Sequence, residues 1–168
     1  MIGKKYKIIG ILISFLLVTT TLAGCGEMKM RLEKDIYDFV EFIGRDDIDG
    51  LSLTIYYCNP NMFTWCPISL DQLINYAHDI IIVINSGELA KHIDLFKLVG
   101  STDLVLVRKN TRIDARVYYV FEIENQGKLL DVAMWGKNGS YFINGVEIKE
   151  NRLFYDIIRP FLPEDAVL

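Results

Sequence analysis

RIDARVYYVFEIENQGKLLDVAMWGKNGSYFINGVEI, residues 112–148, decides the fold. From Arg112 to Glu124 the chain alternates, with Val117, Tyr119, Phe121 and Ile123 on one face, as in a strand resting on a core. Gln126-Gly127 turns it into a second strand from Lys128 to Trp135. Gly136-Lys137-Asn138-Gly139 turns it again, into Ser140 to Ile143. Asn144-Gly145 is the strongest hairpin signal, because both residues tolerate the positive φ of a type I′ turn, and it leads into Val146 to Ile148. Consecutive strands joined by such short turns pair antiparallel, so this half is a meander. A helix from about Arg152 to Arg159, stopped by Pro160, closes it.

Upstream, Met30 to Ile43 has the spacing of an amphipathic helix. Leu32, Ile36, Phe39, Val40 and Ile43 form one stripe, Glu33, Lys34, Asp38 and Glu41 lie opposite, and Gly44 ends it. Leu51 to Tyr57 alternates as a half-buried strand, with Ser52, Thr54 and Tyr56 on its polar face. Ser69-Leu70-Asp71-Gln72 has capping-box spacing and opens a short helix through about His78. Ile80 to Ile84 is an unbroken β-branched run, which predicts an interior strand buried on both faces. Ser86 is placed to cap a helix carrying Leu89, Ile93, Phe96 and Val99, ended by Gly100. Leu104 to Val107 reads as a short buried strand. The expected fold is therefore α+β: a mostly antiparallel sheet with helices packed on one face and a C-terminal β-meander closed by a short helix. There are no internal repeats, low-complexity tracts or second-domain linkers, so residues 30–168 read as one globular domain.

The first 25 residues have a different character. Lys4, Lys5 and Lys7 precede an apolar run from Ile8 to Val18, followed by small and polar residues from Thr19 to Ala23. That order is a secretory signal peptide, residues 1–24, and its lysines hold their end in the cytoplasm, so the remainder is exported. Ile8 to Ala23 as a helix would reach about 24 Å, short of a hydrocarbon core of about 30 Å. Leu22-Ala23-Gly24-Cys25 resembles the lipobox of bacterial lipoproteins. The resemblance implies recognition of Leu22, Ala23 and Gly24 by the lipoprotein signal peptidase, lipid transfer to the Cys25 thiol, cleavage before it and acylation, for instance by palmitate, of the new N-terminus. Two acyl chains from the diacylglyceryl group meet the requirement for stable anchoring. Residues 25–29 then serve as lipidated N-terminus and short tether, holding the domain close to the outer face of the cell membrane. Beyond Cys25 the Ile/Tyr/Asn/Lys-rich composition resembles small lipoproteins of low-GC Gram-positive bacteria, a likeness that carries over no catalytic residue. In a Gram-negative host, Gly26 after the cysteine would resemble outer-membrane sorting.

Charge narrows the partners. The chain has 18 basic and 22 acidic residues, a formal net charge of −4; three lysines and no acids precede Cys25, so the exported part carries −7. An acidic domain gains nothing from an anionic lipid surface, and with no basic stripe it is not built for nucleic acid. It favours a basic partner, cationic peptides included.

With Cys25 as the lipid site, Cys58 and Cys66 remain. Outside the cytoplasm they can form a disulfide, worth about 2.5 kcal/mol for so small a loop, with Pro60 and Pro67 helping to fix its shape; free thiols are the alternative. Seven intervening residues exclude a C-x-x-C redox motif, and no further ligands stand near for zinc. His78 and His92, beside Asp79 and Asp94, could supply a two-histidine, one-carboxylate metal site, but His92 lies off the apolar stripe and reads as solvent-facing. Asp46, Asp47 and Asp49 before Gly50 lack the longer loop and distal glutamate of an EF-hand. Asn138-Gly139-Ser140 is turn chemistry. No G-x-S-x-G, H-E-x-x-H or S-x-x-K stretch is present, so neither a catalytic residue nor a metal or cofactor is assigned.

Aromatic residues supply the remaining clue. Phe63 and Trp65 lie in the Cys58–Cys66 loop outside any helix or strand pattern, Tyr56 and Tyr118 on polar strand faces, and Trp135 beside a glycine turn. Sparsely charged, partly exposed aromatics of this kind form binding surfaces or cover a sheet's second face. The leading expectation is a lipid-anchored extracytoplasmic binding or accessory protein that is not an enzyme, with a protein or peptide ligand. The alternatives are a cell-envelope hydrolase acting through carboxylates, which needs a deep pocket of converging acids, and a purely structural envelope component.

Overall fold

Antiparallel pairing runs through the whole sheet in the computed structural model, which describes residues 26–45, 48–107, 113–135 and 139–166. Its strands are β1 (Leu51–Tyr57), β2 (Ile80–Asn85), β3 (Val117–Ile123), β4 (Gly127–Met134), β5 (Tyr141–Ile143) and β6 (Val146–Ile148), in the order β2-β1-β3-β4-β5-β6. The strand order of the meander is as expected, but β3 begins at Val117, residues 113–116 being outside it, and Arg112 and residues 136–138 of the second turn lie outside the described residues. Asn144 (φ 47°) and Gly145 (φ 77°) both occupy the left-handed region, as a type I′ hairpin turn requires. The β3–β4 register shifts between Phe121 and Glu122. The fold is α+β.

Alternation decides what each face meets. Leu51, Leu53, Ile55 and Tyr57 of β1 and Val117, Tyr119, Phe121 and Ile123 of β3 point into the main core. A helix over residues 26–43, α1, lays Leu32, Ile36, Phe39, Phe42 and Ile43 on that face. It is joined by the helical run of α3 (Ser86–Leu89) and α4 (Ile93–Lys97), through Leu89, Phe96 and Val99. Phe121 is the hub: its ring centroid lies 5.0 Å from Phe39, 5.4 Å from Phe96 and 6.1 Å from Tyr119. The Tyr119 hydroxyl, fully buried, donates to the Phe154 carbonyl at 2.8 Å. Phe154 belongs to the closing helix α5 (Leu153–Asp156).

Among the described residues the opposite face is covered at one end only. There Cys58, Ile68, Leu73, Ala115, Tyr118, Val120, Ala133 and Phe142 form a second, smaller cluster. Its lid is α2 (Leu70–Gln72), running into a π-helical turn, Leu73–Ala77. The capping box is complete: Gln72 N donates to Ser69 Oγ at 3.2 Å and Ser69 N to Gln72 Oε1 at 2.9 Å. The main helices thus share one face, while this short segment guards part of the other.

Local reading and structure part company in several places. Ile80 to Ile84 is not interior: β2 is an edge strand, and Ile80, Ile81 and Val83 are exposed. The doubly buried strand is β3, where every residue from Val117 to Phe121 is buried. A β-branched run fits both situations, and only the neighbours distinguish them. Leu104 to Val107 makes a single bridge, Leu106 to Ile148, rather than a strand. Asn85, not Ser86, caps α3, its side chain accepting from Glu88 N at 3.1 Å. The closing helix is shorter than 152–159, and Pro160 is the second residue of a 3-10 turn, Arg159–Phe161. Helix α1 includes residues 26–29, read from sequence as tether.

Candidate functional site

The loop after β1 is clamped at both ends. Cys58 N donates to Arg116 O at 2.7 Å and Asn59 N to Asp79 Oδ2 at 2.8 Å. At the far end Ile68 N donates to Asp114 Oδ1 and Ala115 N to Ile68 O, both at 2.9 Å. Asn59 folds the first turn, its Oδ1 accepting from Asn61 N and its carbonyl from Met62 N, both at 2.9 Å.

The tip between these clamps alternates outward and inward. Phe63 is 81% exposed and Trp65 93%, their rings edge to face with centroids 5.7 Å apart. Thr64, between them, turns in and accepts from Arg116 Nη2 at 2.7 Å. Arg116 is 2% exposed; its guanidinium lies 3.6 Å from Asp114 Oδ1 and 5.3 Å from the Trp135 ring centroid. Trp135 is half exposed, so this cation–π pair joins the buried arginine to the surface. Among the described residues Arg116 Nε and Nη1 have no hydrogen-bond partner. Both atoms are shut off from solvent, and a buried charged donor left without an acceptor is costly.

The five aromatics chosen from sequence separate into two groups. Phe63, Trp65 and Trp135 are surface groups. Tyr56 is half-buried, its centroid 6.0 Å from both His78 and Tyr118. Tyr118 is buried and drops out of any exposed surface: Ile68 and Leu73, remote in sequence, share its cluster. Its hydroxyl donates to Asp131 Oδ2 at 3.4 Å, and burial, then the Asp131 charge, raise its pKa above the ordinary phenol value. Arg116 and Thr64 were missed. The signal available was a lone arginine inside the apolar alternation from Ala115 to Ile123.

The expected Cys58–Cys66 disulfide is not present. Both thiols are free, Cys58 buried in the second cluster and Cys66 exposed on the loop. Strand β1 carries Cys58 into the sheet's second face, while the Phe63–Cys66 tip stands off it. Burial, then the Asp79 charge, push the Cys58 thiol above its usual pKa, against the opposing pull of Arg116. A buried, protonated thiol reacts slowly. Treating the native protein with a maleimide should label Cys66 quickly and Cys58 only after unfolding; peptide mapping that finds equal labelling would contradict this placement.

His78 Nδ1 lies 2.9 Å from the Leu73 carbonyl and donates to it. His92 is not simply solvent-facing, since its ring packs edge-on against Phe161 at 4.9 Å. Among the described residues no three His, Cys, Asp or Glu side chains come together as a metal set. Asp46, Asp47 and the lipobox residues Leu22, Ala23, Gly24 and Cys25 lie outside the described residues. A groove of about 380 Å³ runs between α1 and residues 100–106, lined mainly by Leu32, Ile36, Val40, Leu104 and Leu106. No described helix is long and apolar enough to cross a membrane. No family model, curated protein or solved structure matches this chain.

Proposed function

We propose that the protein is a non-enzymatic, lipid-anchored binding or accessory protein, held on the outer face of the cell membrane through Cys25, and that it captures a basic protein or peptide at the Cys58–Ile68 loop. The observation that carries the reading is the Phe63–Trp65 pair, exposed on a loop clamped at both ends. Two large rings at the surface of a pre-ordered loop present contact area at little entropic cost to binding. Arg116 beneath them holds Thr64 turned inward between the two rings, and the net charge of the exported part favours a cationic ligand. The hydrolase reading has less support here. Asp79 and Asp114, the carboxylates at this loop, already accept backbone N–H bonds.

Two experiments address the two halves of the proposal. Cys25→Ala should leave the protein unprocessed or release it from the membrane fraction; a variant that matures and fractionates like wild type removes the anchor. For binding, a cationic amphipathic peptide titrated into the full chain should shift Trp fluorescence to the blue, because Trp65 passes from water into contact. Absence of any shift, and of pull-down on basic peptides, argues against a ligand at this loop.

A further inference from the structure

The two edges of the sheet are treated differently. Beside β6, residues 105–107 close the edge: Leu106 bridges Ile148, Val107 N donates to Glu147 O at 3.1 Å, and Lys149 N to Val105 O at 2.7 Å. At the other end, among the described residues, β2 pairs with β1 alone. Soluble proteins blunt open edges with charges, proline, bulges or a cover. Ile80–Asn85 holds no charge and no proline, and its register with β1 runs unbroken from Ser52↔Asn85 to Tyr57↔Ile80. The flanking charges do not guard it, since Asp79 accepts from Asn59 N and Glu88 pairs with Lys91. On the second face of the sheet Ile81 is 46% exposed and Val83 70%.

We propose that β2 is a self-association edge, pairing antiparallel with β2 of a second copy in a ladder centred on Ile82. This interface goes beyond the ligand-binding reading and does not depend on it. The sequence of β2 is close to palindromic in shape. About Ile82, Ile81 comes opposite Val83 of the second copy, and Ile80 opposite Ile84 of the second copy. The exposed Ile81 and Val83 then cover each other as cross-strand β-branched pairs, twice by symmetry. A foreign strand could use the same backbone groups, but the self-complementary side-chain order points to a second copy. Charge agrees: two acidic chains repel, and the ladder is an uncharged stretch of surface.

The symmetry also fits a shared membrane. The two-fold axis of an antiparallel strand pair is normal to the sheet, so both α1 helices lie on the same side of the joined twelve strands, six from each copy. One strand pairing buries less than a standard interface of about 1,600 Å², so the dimer is weak when dilute and strengthened when both chains share a surface.

The test uses the full chain in detergent micelles and in native membranes. Sedimentation of the wild type should show the mass doubling as concentration rises, and Val83→Lys should stay a single copy with an unchanged melting temperature. In a Cys66→Ser background, Ile82→Cys faces its own symmetry mate and should form a disulfide-linked dimer on mild oxidation. Gln126→Cys, in the exposed β3–β4 turn, should not. Adding Val83→Lys to Ile82→Cys should reduce the crosslink by about ten-fold or more, as expected when a charge enters a paired edge. A wild type that stays single up to high micromolar concentration overturns the proposal. So does a crosslink to another polypeptide, or one formed equally well at Gln126→Cys.

Discussion

Replacing Phe121 with alanine should destabilise the fold by about 3–5 kcal/mol, the range for removing a fully buried phenylalanine from a core. Its ring touches Phe39 of α1, Phe96 of α4 and Tyr119 of β3, so the cavity opens where helix and sheet layers meet. The surroundings cannot readily collapse into it, because Phe39, Phe96 and Tyr119 are themselves fully buried, and Tyr119 is tied to the Phe154 carbonyl. The next residue is the control. Glu122 is exposed on the other face of the same strand, and Glu122→Ala should change stability by no more than about 0.5 kcal/mol. Urea denaturation followed by Trp fluorescence reads both. For a domain whose total stability is about 5–15 kcal/mol, the Phe121 loss is a large fraction of the whole. A cost below about 1 kcal/mol would mean that the helices do not pack on this face.

What could be read from sequence follows the range of each interaction. The Asn144-Gly145 turn, the Ser69–Gln72 capping box and the β1 alternation are settled within a few residues, and each stands as read. The failures are non-local. Whether Ile80 to Ile84 is interior depends on what lies beyond it, and among the described residues only β1 pairs with it. Tyr118 has the local pattern of an outward residue on a half-exposed strand. Ile68 and Leu73, about fifty positions earlier, cover it, and the folding back of that segment leaves no mark at Tyr118 itself. The site divides in the same way. Phe63 and Trp65 were legible because no helix or strand pattern claimed them. Arg116 was not, because its meaning comes from Thr64 in one loop and Trp135 just past the end of β4. The unformed Cys58–Cys66 bond belongs here too: sequence spacing makes a short loop but does not say on which side of the sheet each thiol ends.

Trp65→Ala should weaken capture of a cationic peptide by about 2 kcal/mol, roughly 30-fold in Kd, while leaving stability within about 0.5 kcal/mol. The contrast rests on exposure. At 93% exposed the indole contributes little to folding, so its apolar area remains available to a partner. Phe63→Ala should cost less directly, but it removes the ring that braces Trp65 edge to face, so the two losses should be non-additive. Trp135→Phe separates the surface pair from the buried charge. It keeps a ring near Arg116 and should hold binding within a few-fold, since the Phe63–Trp65 edge is untouched. Isothermal titration of the four proteins against one peptide, with thermal melts alongside, decides the matter. If Trp65→Ala binds like wild type and melts like wild type, the exposed aromatic tip is not the ligand contact. If it melts substantially lower, the loop is a structural element whose rings hold the fold, and the binding surface lies elsewhere. The expected result, affinity lost with the melt unchanged, separates recognition from stability at a single side chain.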